Sequence, residues 1–101
     1  MSTGQEFSLS LKVDSGTWST ENVRDGHPVG KTEGRILFSQ KFTSVPTVIV
    51  SLTSADVSKE FNFRLKVFAS HVNLEGFTVH ANSWADTKIH SCGVSWLAIG
   101  H

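Results

Sequence analysis

Residues 83–97 read SWADTKIHSCGVSWL, and this stretch decides the class of fold. A strand pattern runs into it from upstream and stops at a short polar turn that opens with Trp84. A second strand follows, in which Val94, Trp96 and Ala98 fall on alternate positions. Period-two alternation places one set of side chains on each face of an extended segment, whereas an amphipathic helix would repeat every three to four residues. Helical periodicity is hard to find anywhere else in the chain.

Working outward, residues 76–84 form the strand before this turn. NLEG at 73–76 reads as the hairpin turn that precedes it, with Gly76 available for a positive φ. In 62–72, Phe63, Leu65, Val67 and Ala69 point one way, and Arg64, Lys66, Phe68 and Ser70 the other. Residues 55–60 are a polar connection. TVIVSLT at 47–53 is dense in β-branched residues and reads as a buried strand, set off by a turn at Ser44-Val45-Pro46. RILFSQKF at 35–42 alternates with Ile36, Phe38 and Phe42 on one side. Phe7, Leu9, Leu11 and Val13 mark a first half-buried strand. Between these last two lies a polar, glycine-bearing segment, 14–33, read as a long loop of the kind that carries function or covers a core. Six strands paired in sequence, with no helix, predict an all-β fold, a six-stranded antiparallel β-sandwich. Residues 1–101 read as a single domain, and pattern alone does not assign strands to sheets.

Composition narrows the function. Nine basic and nine acidic residues cancel, and no run of like charge occurs. Electrostatic attraction to nucleic acid or to anionic lipid therefore has no source, and neither partner is expected. No apolar run approaches the length that spans a membrane, so no membrane insertion is expected. The opening MSTGQEFS has no basic segment followed by an apolar one. A soluble protein made in the cytosol is expected; if it acts outside the cell, it leaves by a non-classical route or loses a signal not included here. Cys92 is the single cysteine, which precludes an intrachain disulfide; in an alternating strand it reads as a small buried apolar residue.

The candidate chemistry gathers in a few places. Within seven residues the 84–90 turn offers an indole (Trp84), a carboxylate (Asp86), an ammonium (Lys88) and an imidazole (His90). A flat apolar face beside directional polar groups suits a sugar, which has a C–H face and a rim of hydroxyls. Trp96 reads as core. Trp84 ends a strand, where its ring can face a ligand while its N–H finds a partner. Arg64 is a solvated strand residue or a donor of up to five N–H groups to sugar oxygens. Asp25-Gly26, at the centre of the long loop, is plain turn chemistry or a carboxylate that accepts from adjacent hydroxyls beside a glycine that lets backbone approach the ligand. The five histidines lack metal-ligand spacing, and no metal or cofactor is expected. Asp25 and Asp86 carry no mark of a glycosidase acid–base pair, and no activated nucleophile is evident, so no enzyme is expected.

The segments TVIVSLTSADV (47–57), NFRL (62–65), GFT (76–78), WADTKI (84–89) and VSWLAI (94–99) together resemble the H-type lectins, which include the snail agglutinins and the C-terminal domain of the slime-mould discoidins. The likeness runs in order and spacing from Arg35 to Gly100 and is weak in the upstream loop, apart from Gly16 and Trp18. It implies a homotrimer, or a hexamer of two trimers, binding N-acetylgalactosamine or galactose at the junctions between protomers. By position, Arg64 and Trp84 look like the family's sugar-binding arginine and tryptophan. The family's loop carboxylate, contributed by the neighbouring protomer, falls on Asp25 if one residue is gapped and on His27 if not; Asp25 is preferred because only a carboxylate accepts from two hydroxyls at once. Ala85 stands where snail-type members carry a polar side chain, and His90 where they carry an aromatic ring. The expected function is a multivalent lectin whose sugar contacts are Asp25, Gly26, Arg64, Trp84, Ala85 and His90. The alternative is a protein-interaction module on the same sandwich, without sugar binding.

Overall fold

A computed structural model describes residues 10–101. In chain order these residues form β1 (Lys12–Ser19), one 3-10 turn (Thr20–Asn22), β2 (Lys31–Leu37), β3 (Thr47–Val57), β4 (Lys66–Ser70), β5 (Gly76–Asn82) and β6 (Ile89–Gly100). The strands make two antiparallel sheets of three, ordered β1-β6-β3 and β2-β5-β4. The expected all-β architecture of six strands is present. The expected pairing of sequence neighbours is not: only β4 and β5 pair with a neighbour in sequence. The long β6 takes both its partners from far upstream, with Gly16↔Trp96 on one edge and Val50↔Trp96 on the other.

The core lies between the sheets. Cys92, Val94, Trp96 and Ala98 of β6 face Phe77, Val79 and Ala81 of β5, all essentially buried. Phe77 meets Trp96 edge to face across the two layers, with ring centroids 5.4 Å apart. Burying each such aromatic contributes about 1.5–3 kcal/mol, and the edge-to-face geometry adds roughly another 1 kcal/mol. Trp96 is core, as its strand position predicts. So is Cys92, whose thiol burial pushes up from its ordinary value while Arg24 pulls weakly the other way.

The indoles dictate two glycines. Trp96 lies over Gly16 of the same sheet, and Trp18 over Gly34 of the opposite one. A Cβ would stand 2.9 Å from Trp96 at position 16 and 2.8 Å from Trp18 at position 34. No β-carbon tolerates such spacing, so these strands are glycine-bearing because rings lie flat on them.

Several expectations need correcting. Phe7 and Leu9 lie outside the described residues. Leu11 and Val13 point outward and are exposed; the inward face of β1 carries Gly16 and Trp18 instead. The long loop of 14–33 is consequently much shorter: β1 runs to Ser19, β2 begins at Lys31, and only 23–30 is irregular. Residues 38–42 follow β2 rather than continue it, although Ile36 and Phe42 are buried as expected and Phe38 packs against them. β3 is longer than expected and only half-buried: Ile49 faces out, Val48 and Val50 pack inward, and Leu52, on the inward side opposite Val94, is left partly exposed. Arg64 and Phe63 precede β4 instead of lying within it, and Phe63 is exposed. The 73–76 turn forms through Asn73, whose side-chain oxygen accepts from the N–H groups of Glu75 and Gly76. Gly76 has no positive φ; it is required because the Ile36 carbonyl occupies the space of a Cβ.

Candidate functional site

The turn after β5 is built rigidly. Ser83 anchors it: its N–H donates to the Gly30 carbonyl at 2.8 Å, and its hydroxyl donates to the Thr87 carbonyl at 2.6 Å, with the Gly30 carbonyl also within 3.0 Å of the same Oγ. The Thr87 N–H closes the turn onto the Trp84 carbonyl at 3.3 Å. Ala85 takes a left-handed φ of 57°. That conformation costs a side-chain-bearing residue about 1–2 kcal/mol, so the surroundings must enforce it. The outcome is that Trp84, 53% exposed, projects into solvent from a fixed base. This is the placement its position at a strand end suggested.

Arg64 reaches this turn from the segment before β4. Its Nη1 donates to Asp86 Oδ1 at 2.8 Å and to Thr87 Oγ1 at 3.0 Å. Thr87 is itself buried and donates its hydroxyl to the Asn62 carbonyl, tying the arginine's own segment to the turn. The arginine side chain is 26% exposed and Asp86 is 63% exposed. Its remaining N–H groups, on Nε and Nη2, make no hydrogen bond among the described residues. A guanidinium held at one corner with donors left over is prepared to meet an oxygen-rich ligand.

A second group lies on the 23–30 loop. Here Arg24 is the organising residue. Its guanidinium donates to the carbonyls of Asp25, His27, Ile89 and His90 at 2.8–3.0 Å, and its Nε to Thr32 Oγ1 at 2.6 Å. The buried Thr20 hydroxyl accepts from the Cys92 N–H at 3.0 Å and holds the loop's start against β6. So fixed, the loop presents Asp25, Gly26 and His27 outward. Asp25 Oδ1 accepts from the His27 N–H at 3.1 Å and pairs with His27 Nδ1. These contacts, the backbone one first, hold the Asp25 carboxyl below its ordinary value. Asp25 Oδ2 makes no bond to described residues. The His90 ring lies 3.2 Å from the Gly26 carbonyl.

The candidate residues therefore fall into two sets. Arg64, Trp84 and Ala85 gather on the turn, with Asp86 and Thr87 positioning them. Asp25, Gly26 and His90 gather on the loop, with His27 joined to Asp25. No hydrogen bond or ion pair joins the sets among the described residues. His90 belongs with the loop, not with Trp84 as its place in the sequence suggested. Arg24 and Thr87 were not singled out from the sequence. Arg24 serves backbone carbonyls, which leave no pattern; a threonine in a polar turn looks like any other.

The family model for the H-type lectin domain matches residues 33–99. The chain belongs to the H-type lectin family. A protein of Fuscovulum blasticum described as ATP synthase subunits region ORF 7 is 34% identical over 65 residues, covering 64% of this chain and 56% of that protein. The chain thus corresponds to little more than half of that relative. Among solved structures, recombinant discoidin II of Dictyostelium discoideum superposes with a TM-score of 0.72 over 96% of this chain and 40% of its own, at 16% identity. The R1 pyocin fibre of P. aeruginosa superposes with a TM-score of 0.62 over 90% of this chain and 23% of its own, at 17% identity. At such identities these structures share the H-type lectin's fold, and the family assignment rests on the sequence match. No helix among the described residues is long and apolar enough to cross a membrane.

Proposed function

We propose that this H-type lectin domain binds terminal galactose or N-acetylgalactosamine on glycoconjugates, without catalysis, at sites completed by neighbouring copies in a trimer. The observation that carries this reading is the anchored Arg64 guanidinium, with donors to spare, on the same turn as the exposed Trp84. Arg64 reads ring hydroxyls by charge-assisted hydrogen bonds and Trp84 walls the C–H face. Asp25 supplies the acceptor through its free oxygen, Gly26 gives the ligand close approach, and His90 stacks. The separation of the two sets within one protomer favours a site in which one copy's loop meets another's turn.

The outer face of the β1-β6-β3 sheet supports self-association. Register places Val13, Ile99 and Thr47 in one cross-strand row and Ser15, Leu97 and Ile49 in the next. Val13 and Ile49 are more than half exposed, and Leu11 extends the patch. A contiguous apolar patch of this kind is commonly covered by a partner. Phe68, on the outward side of β4, stacks on His80 of its own chain.

A single shallow site of this kind binds on the order of 1 mM, about 4 kcal/mol, and linked sites raise avidity by roughly a hundredfold. A glycan array run beside light scattering tests the reading. Binding inhibited by free galactosides from a trimer supports it. A monodisperse single subunit that still binds at full strength overturns the junction site. Silence across all glycans favours the second reading, a protein-interaction module, to which the apolar Ala85 lends support.

A further inference from the structure

The outer face of the second sheet carries a depression that the Arg64 turn only borders. At its end, register sets Lys31, Asn82 and Lys66 directly side by side across β2, β5 and β4. A cavity of about 350 Å³ opens over this row, lined by Lys31, Lys66, Asn82, Ser83 and Trp84. The next row inward is Glu33, His80 and Phe68, under a cavity of about 360 Å³ that shares Lys31 and Asn82 with the first. The two hollows are thus one groove that starts at the Trp84 ring. Volumes of this size accommodate a saccharide unit.

Its charge is uneven. Neither Lys31 nor Lys66 makes an ion pair among the described residues, although Lys66 Nζ stands 5.4 Å from the centre of the Phe68 ring. Lys88 Nζ lies near Gly30, 3.9 Å from where a Cβ there would stand. The acids nearest by are already engaged: Glu33 sits 3.6 Å from His80 Nδ1, and Asp86 is held by Arg64. Two ammonium groups flanking a side-chain amide, with no counter-charge of their own, are repelled by each other and stabilised by a bound anion. The aromatic floor continues beyond them, where Phe68 lies flat on His80 with ring centroids 4.4 Å apart.

We propose that this groove is a second subsite for an acidic saccharide unit, in which Lys31 and Lys66 clasp the carboxylate or sulfate of a sugar adjoining the galactoside held at Trp84. Trp84 belongs to both the Arg64-held turn and the wall of the groove, so one glycan chain can span the two. Asn82 offers an amide to the same anion or to a neighbouring hydroxyl. Glu33 limits the anion to the lysine row and excludes it from the row beyond. The inference rests on the galactoside reading above and adds the class of glycan preferred.

Titrations with lactose, galactose 3-sulfate, a glucuronyl-galactose disaccharide and inorganic sulfate test it. The two acidic sugars should bind about fivefold more tightly than lactose at low salt, an advantage that exposed charge pairs can supply and that salt removes. Lys31→Ala combined with Lys66→Ala should erase that advantage and leave lactose binding as it was. The doubly substituted Lys→Arg variant should restore it. Equal binding of neutral and acidic sugars overturns the subsite and leaves the galactoside reading standing, as does a preference for inorganic sulfate alone. Failure of lactose to bind the unaltered protein overturns the galactoside reading itself. A preference for only one of sulfate and carboxylate supports the subsite and fixes which anion it takes.

Discussion

Asp86 holds Arg64 by a single 2.8 Å contact from Nη1, and the Nε and Nη2 donors stay open among the described residues. An exposed pair of this kind contributes about 0.2–1 kcal/mol to folding. Its consequence is orientation: a flexible arginine would lose more entropy on meeting a sugar than one already fixed at a corner.

Replacing Asp86 with alanine should therefore separate stability from binding. The unfolding free energy should fall by no more than about 1 kcal/mol, while affinity for a galactoside drops roughly tenfold, about 1.4 kcal/mol. Arg64→Ala should abolish retention on immobilised N-acetylgalactosamine. A folded Asp86→Ala protein with unchanged affinity would remove the positioning role.

Gly34 is a packing prediction independent of any ligand. An alanine there meets the Trp18 indole at 2.8 Å, in a core with little room to relax. Gly34→Ala should cost about 1–3 kcal/mol in urea denaturation. The double variant with Trp18→Phe should recover part of the loss from the clash. A single variant as stable as the parent would mean the ring moves aside freely.

What the sequence revealed and hid follows from how each strand is buried. The 73–76 turn and the inward sets Leu65, Val67 and Ala69, then Val94, Trp96 and Ala98, were legible because large apolar residues alternate there with small or polar ones. β1 was misread because its inward positions hold Gly16 and a single tryptophan. Leu11 and Val13 supplied an apolar alternation in the opposite phase. A one-residue change of phase turns every side chain to the other face. β3 misled for the related reason that its β-branched run serves an apolar outer surface as well as the core. At the site, Arg64 and Trp84 were legible as residue types suited to a sugar. The Arg24 hub was not, since five contacts to oxygens, four of them backbone carbonyls, leave no trace in residue pattern.

The Asp25 carboxyl gives a pH prediction. Its contacts with His27 depress its folded-state value below the ordinary 3.8. The ionised loop arrangement is thus fully present above that value and lost only as pH falls through the lower, folded one. A carboxyl titration followed by NMR should place the midpoint below 3.8. His27→Ala should return only part of the shift, because the backbone N–H, the larger cause, survives the substitution. A midpoint at or above the ordinary value would show that the pair does not persist in solution.

Gly26 tests whether the loop faces a partner. A Cβ built there would find only ordinary contacts, Glu21 Oε2 at 3.6 Å and the His90 carbonyl at 4.0 Å. Its φ is not in the left-handed region, so the fold does not demand glycine. Gly26→Ala should leave the unfolding free energy within about 0.5 kcal/mol of the parent. If backbone must approach the sugar at a junction between copies, the same methyl should weaken galactoside binding by roughly tenfold or more, about 1.4 kcal/mol, with the oligomer unchanged in light scattering. Unaltered binding by this variant would take Gly26 out of the site and place the sugar's closest approach on the Arg64 turn alone.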